Sequence, residues 1–70
     1  MPAPDRGLHE PDRVVGSSRA AHPNPVKNAI EDAYTLVPST EPRPVHMHVE
    51  GIWAIGNNPI SEYRVDIKYK

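Results

Sequence analysis

The prolines limit where regular secondary structure can form in this chain. A proline lacks the backbone N–H donor and fixes its own φ, so it interrupts helices and central strands but suits turns and helix starts. Nine of the 70 residues are proline, and they fall between the patterned segments: Pro2, Pro4, Pro11, Pro23, Pro25, Pro38, Pro42, Pro44 and Pro59. The elements must therefore be short, and the prolines indicate where they end.

The segment after Asn24 has the pattern of an amphipathic helix. Asn24 is a suitable N-cap, and Pro25 suits the first helical position, where its N–H would be unpaired in any case. Pro38 disfavours helical geometry at the preceding residue, so we predict a helix over about residues 25–36. Its apolar stripe comprises Val26, Ala29, Ile30, Ala33 and Val37. The polar side, predicted to face solvent, comprises Lys27, Asn28, Glu31, Asp32 and Thr35.

A β-hairpin is predicted after the connector at residues 38–44 (PSTEPRP), where the apolar period changes from about 3.6 residues to about 2. The turn is residues 56–59 (GNNP). Residues 60–70 then alternate again, and an apolar parity of Tyr63, Val65, Ile67 and Tyr69 opposes a charged parity of Glu62, Arg64, Asp66, Lys68 and Lys70. In the first strand, the parity predicted to face the core comprises Val45, Met47, Val49, Gly51, Trp53 and Ile55. The other parity comprises His46, His48, Glu50, Ile52 and Ala54.

The N-terminal segment has a different composition. Residues 1–12 combine prolines and charges with Leu8 as the one sizeable aliphatic side chain, so we predict a flexible, proline-rich arm. Arg13-Val14-Val15 is predicted to belong to a first strand, with a start near Leu8 as an alternative. Residues 13–70 then form one α+β domain of βαββ order, in which a short helix packs on a small antiparallel sheet.

Self-association is expected from the size of the chain. A domain of 70 residues buries a core that supplies roughly a few kcal/mol. Cysteine is absent, which removes disulfides and thiolate metal sites as supplements. The predicted hairpin also leaves strand edges that natural proteins cover or pair with another subunit. We therefore expect oligomerisation to complete the fold.

The charge pattern argues against two classes of partner. The net charge is -1, with 8 basic and 9 acidic residues scattered along the chain, so there is no basic stripe for nucleic acid. No apolar run approaches the length of about 20 residues that crosses a bilayer, and the start, MPAP, lacks the features of a signal peptide. We expect a cytoplasmic protein that binds neither nucleic acid nor membrane.

Four segments resemble the dodecins when taken in order: VVGSS, VKNAIEDA, VHMHVEGIWAI and EYRVDIKY. The resemblance covers about residues 14–69. Dodecins are small βαββ proteins whose helix packs into a curved three-stranded sheet. Twelve subunits close into a shell that stores flavin, and some members also bind coenzyme A. The resemblance therefore implies a homo-oligomer, a dodecamer in the family's manner, and a flavin ligand (FMN, FAD or riboflavin).

The flavin-binding positions of the dodecins carry different residues in this chain. A tryptophan near the start of the second dodecin strand stacks on the flavin, whereas this sequence has Arg43, Pro44 and Val45 there. A glutamine that follows an aromatic residue corresponds to Arg64, after Tyr63, and the chain contains no glutamine. The candidate cofactor-binding residues are therefore Trp53, Arg64, Tyr63 and Val45. The alternative for Trp53, Tyr63 and Tyr69 is packing in the core or at a subunit interface.

His46 and His48 are candidate metal ligands, because H-x-H with a carboxylate at Glu50 can bind zinc, copper or nickel when further ligands converge. The alternative is that these side chains bind no metal and simply lie on the solvent-exposed face of a half-buried strand. Symmetry could also gather the histidines at a pH-sensitive subunit contact. Strand parity predicts that these histidines and Trp53 lie on opposite faces and cannot form one intrachain site.

The sequence favours a binding protein over an enzyme. It has no cysteine nucleophile, no serine with a neighbouring base in a recognisable motif and no phosphate-binding glycine loop. An enzyme with a site assembled from several chains stays an alternative. We expect a homo-oligomeric binding or storage protein for a planar small molecule, either a flavin or a nucleotide-like cofactor. The alternative without a cofactor is a non-catalytic interaction or scaffolding module that uses the arm and a sheet edge.

Overall fold

One helix packs on one face of an antiparallel sheet. The computed structural model describes residues 2–70, apart from the side chain of Glu10. The elements in chain order are β1 (Gly7–Glu10), β2 (Arg13–Arg19), α1 (Pro25–Thr35), β3 (His48–Gly56) and β4 (Ile60–Lys68). The sheet order is β1-β2-β4-β3, and each neighbouring pair is antiparallel. The α+β class is confirmed, but the order is ββαββ because one more strand precedes those predicted.

The additional strand, β1, lies inside the segment predicted to be an arm. Gly7 pairs with Val15 and Leu8 pairs with Val14. The alternative of one strand from near Leu8 to Val15 is wrong, because a turn at residues 11–12 folds this segment into a hairpin. Pro11, at the start of that turn, has no N–H to donate to a neighbouring strand, which favours an end of the strand at this point.

The two faces of the sheet have different environments. The helix-side face carries Val14 and Gly16 of β2 opposite Ile67 and Val65 of β4. These valine and isoleucine side chains are fully buried. The core cluster on this face comprises Val14, Ala29, Ala33, Val37, Val65, Ile67 and Tyr69, with Val26, Ile30, Leu36, Met47 and Val49 packed against it. The predicted apolar stripe of the helix is therefore confirmed.

The ends of α1 are stabilised differently from the sequence prediction. Asn24 is at the N-cap position, but its backbone is left-handed (φ 51°, ψ 57°) and its side chain makes no capping hydrogen bond. The side-chain amide of Asn28 instead donates to the carbonyl of Pro23 at 2.9 Å. At the C-terminal end, the guanidinium of Arg43 donates to the carbonyls of Tyr34 and Val37, each at 3.1 Å. A cation there also interacts favourably with the helix dipole.

A β-bulge at Glu50 reverses the two faces along β3. Val49 pairs with Ile67, but Gly51 pairs with the next residue of β4, Asp66, so Glu50 is an extra residue without a partner. Two residues of β3 therefore oppose one residue of β4, and the alternation of side chains shifts by one. The prediction of a single core-facing parity is wrong for this reason. Val49 lies on the helix-side face, whereas the outer face carries Gly51, Trp53 and Ile55, which pair with Asp66, Arg64 and Glu62.

The carboxylate of Asp32 links α1 to the first two strands. It accepts hydrogen bonds from the guanidinium of Arg6 at 2.7 and 2.8 Å and from the backbone N–H of Ser17 at 2.9 Å. Asp32 was predicted to be simply solvated, but the β2 edge beyond the end of β1 has N–H groups that need an acceptor. The bond from Arg6, followed by the bond from Ser17, lowers the pKa of Asp32 despite partial burial.

Replacement of Gly16 by alanine should strongly destabilise the fold. A Cβ at Gly16 would overlap the backbone of Ala29 and Ala33 and would lie 2.8 Å from the Cβ of Ala33. Because the obstacle includes backbone, α1 would have to move away from β2. We expect a loss of about 3 kcal/mol in the free energy of unfolding, measured by urea denaturation. A variant as stable as the wild type would contradict this close approach of the helix.

Replacement of Asp32 by asparagine should remove part of the acid sensitivity of the fold. The pKa of Asp32 is lowered in the folded state from its ordinary value of 3.8. The contribution of the ionised carboxylate to the free energy of unfolding is therefore complete above pH 3.8 and is lost as the pH falls through the folded-state pKa. Urea titrations should show that Asp32→Asn is less stable than the wild type at pH 7, and that the difference shrinks as the pH falls below 3.8.

The control is Glu31→Gln, which removes the same charge from the adjacent, exposed position, where the carboxylate is 3.8 Å from the ammonium of Lys27. An exposed pair of this kind contributes little, so this variant should resemble the wild type throughout. Equal effects of the two substitutions would show that net charge, rather than the contacts of Asp32, determines the pH dependence.

Candidate functional site

Trp53 lies on the outer face of the sheet as a consequence of the bulge. It pairs with Arg64 of β4 and is half-buried. Its ring lies along its own strand over Gly51, since a Cβ built at Gly51 would be 2.8 Å from the Cη2 atom of the ring. The missing side chain at Gly51 therefore provides the space in which the indole lies against the sheet.

Residues 2–6, which we call the N-terminal strap, are tied to both sides of the sheet. On the outer face, Arg64 donates from Nη1 to the carbonyl of Pro4 at 2.8 Å. Arg64 also donates from Nε to Glu62 at 2.7 Å, and this bond raises the pKa of Arg64. At the other end of the strap, Arg6 binds Asp32 of α1. Val15 faces away from the helix and yet is fully buried, which indicates that the outer face is covered at its centre.

A groove of about 410 Å³ lies between the strap and the outer face. Its floor crosses the whole sheet, because it receives residues from β1, β2, β4 and β3 in spatial order. Its volume is within the range of small-molecule sites, which is about 300–1,000 Å³. The indole provides one flat apolar surface, and the prolines of the strap provide another. The lining residues are Pro2, Pro4, His9, Arg13, Glu50, Trp53 and Asp66.

An incompletely bonded ion pair forms the centre of the groove floor. Arg13 donates from Nη2 to Oδ2 of Asp66 at 2.8 Å. The Nε atom of Arg13 and the Oδ1 atom of Asp66 are buried and have no hydrogen-bond partner within residues 2–70. A buried donor or acceptor without a partner costs about 1–3 kcal/mol, and charged groups cost more. Both side chains line the groove, where Arg13 is 32% and Asp66 14% exposed, so the floor of the groove carries a partly accessible pair of opposite charges.

Two of the four predicted cofactor-binding residues come together at the groove. Trp53 forms part of the floor, and Arg64 holds the strap above it. Tyr63 pairs with Ser18 and Ala54 on the helix-side face, so it is on the other side of the sheet. Val45 is 88% exposed and lies in the connector before β3. The dodecin-like positions at Tyr63 and Val45 therefore do not contribute to the groove.

His46 and His48 line a separate, open cavity of about 580 Å³ together with Lys68 and Lys70. His48 is 74% exposed at its side chain, and its Nε2 atom is 4.0 Å from Glu50. No group of three or more histidine, cysteine, aspartate or glutamate side chains suited to a metal occurs in the described part of the chain. The lysine charges also oppose a cation. A metal role for the two histidines stays a prediction that needs ligands from outside this chain.

Several residues of the groove were missed by the sequence reasoning. Strand alternation identified Asp66 as outward-facing, but it gave no reason to group this residue with Arg13 or His9 on other strands. Glu50 and Trp53 were assigned to opposite faces, and yet both line the groove. A glycine inside a strand pattern often accompanies a bulge, so Gly51 was the available signal for this error.

The comparisons with known proteins do not identify a family. No family model, curated protein or solved structure matches the chain. Within residues 2–70, no helix is long and apolar enough to cross a membrane. The groove is therefore the feature from which a function can be inferred.

Proposed function

We propose that this protein is a non-catalytic binding module for a planar small molecule, which stacks on Trp53 beneath the N-terminal strap. The observation that carries the proposal is the combination of one indole surface with a charged donor and a charged acceptor, Arg13 and Asp66, in one groove. Aromatic stacking provides affinity for a flat ring system, and a donor and an acceptor at its edge provide orientation. Planar heterocycles such as the flavin ring have both properties.

The groove also restricts the size of the ligand. At about 410 Å³ it is near the lower end of the usual range. It suits a ring system of two or three fused rings, whereas the remainder of a dinucleotide would extend into solvent. The proposal retains the ligand class that the dodecin resemblance implies. It places the ligand on Trp53, however, rather than at the positions of Val45 and Tyr63.

Riboflavin binding to Trp53 variants tests this proposal. Trp53 is the only tryptophan, so quenching of its fluorescence reports contact with the ligand directly. We expect wild-type protein to be quenched by riboflavin, and Trp53→Ala, followed by flavin fluorescence, to bind at least tenfold more weakly, a loss of about 1.4 kcal/mol. Trp53→Phe, which keeps an aromatic ring, should recover part of the affinity.

The control for the site is Val45→Glu at the exposed position that the dodecin resemblance assigns to flavin. Binding that survives Val45→Glu and fails in Trp53→Ala supports the groove. The opposite pattern would place the ligand at the dodecin-like position. Absence of quenching by riboflavin and by smaller planar heterocycles up to about 1 mM, where binding provides only about 4 kcal/mol, would refute the proposal.

The interaction-module hypothesis makes a different prediction about the strap. If a partner protein docks on the N-terminal arm of residues 1–12, deletion of residues 2–6 within it weakens capture of that partner and leaves the rest of the fold intact. If the strap instead covers a ligand groove, the same deletion weakens riboflavin binding. Titration of the shortened chain with riboflavin therefore separates these two hypotheses.

A further inference from the structure

The outer edge of β3 has no partner strand in the part of the chain that the structure describes. β3 is the last strand in the sheet order and pairs only with β4. An unpaired edge exposes a row of backbone N–H and C=O groups, which forms a template for another strand. With nine residues, this edge is long for such a small sheet.

The other edge of the sheet is protected in ways that β3 is not. β1 has four residues, its register shifts between Leu8 and Glu10, and Pro11 follows directly. Short length and a nearby proline are usual defences of an edge strand, and irregular register, another such defence, occurs in both β1 and β3. β3 contains neither proline nor lysine, and between its two register shifts residues 51–55 pair regularly with β4. The two edges therefore differ in their capacity to accept a strand.

The side chains beside the β3 edge favour a copy of the same strand. Residues 51–56 (GIWAIG) carry no charge, so antiparallel pairing of this segment with its own copy brings no charges of equal sign together there. On the helix-side face, α1 packs against β2 and β4, whereas Ile52 is 53% exposed. A second copy would cover this side chain with its own apolar residues, and a strongly charged partner strand would gain nothing from the uncharged segment.

We propose that β3 pairs with β3 of a second copy in antiparallel orientation, so that two four-stranded sheets join into one continuous sheet across a two-fold axis. With the two-fold axis perpendicular to the sheet, the rotation reverses the strand direction, so the pairing is antiparallel and the helix-side faces of both copies lie on the same side of the joined sheet. The additional apolar burial also supplies what a core of this size lacks.

The test compares two lysine substitutions at matched positions. Ile52 on β3 and Leu8 on β1 are both on edge strands and on the helix-side face, and they are 53% and 52% exposed. Sedimentation equilibrium should show a dimer for the wild type and for Leu8→Lys. Ile52→Lys should weaken dimerisation at least tenfold, since it places two lysines near the axis. Far-UV circular dichroism confirms that both variants are folded.

A second measurement on the unaltered protein does not depend on the variants. Hydrogen exchange followed by NMR should show that amides of residues 51–56 gain protection as the protein concentration rises, whereas amides of β1 do not. A wild-type monomer at about 1 mM would overturn the proposal. Equal loss of dimer in both lysine variants, or an oligomer in which β1 gains the protection, would also overturn it.

Discussion

The bulge at Glu50 is the constraint on which the arrangement of the two sheet faces depends. Before it, β3 contributes Val49 to the core beneath α1. After it, the same strand places Trp53 on the opposite face. Without the extra residue, the indole would face the helix side, where Gly16 already brings the helix very close to the sheet. The bulge therefore allows one strand to contribute Val49 to the packed core and Trp53 to the opposite face, outside the core cluster.

The strap makes this aromatic surface into a groove. Its contacts cross the molecule, because Arg64 holds Pro4 on the outer face and Asp32 of the helix holds Arg6. Both contacts involve charged side chains that are not deeply buried, and such contacts contribute modestly to stability. The strap is thus positioned by a few directed bonds rather than by extensive packing. The buried ion pair of Arg13 and Asp66 beneath it remains incompletely bonded.

The helix and the final hairpin could be predicted because their signals are local. A period of about 3.6 between two prolines indicated α1 to within a residue of its observed bounds, Pro25–Thr35. Alternation likewise placed Val65 and Ile67 in the core. The bulge could not be derived in this way, because it is defined by the pairing of β3 with β4 rather than by β3 alone. Most of the groove was missed for the same reason, since its residues are contributed by four different strands.

The bulge, the groove and the proposed function all require Trp53 to lie on the outer face of the sheet, and NMR can measure this directly. In a spectrum of nuclear Overhauser effects, the indole protons of the single tryptophan should show contacts with Gly51 and with the side chain of Pro4 in the strap. They should show none with the methyl groups of Ala29 and Ala33 on α1. Contacts between Trp53 and these alanines, without contacts to the strap, would contradict the bulge, the groove and the function proposed for it.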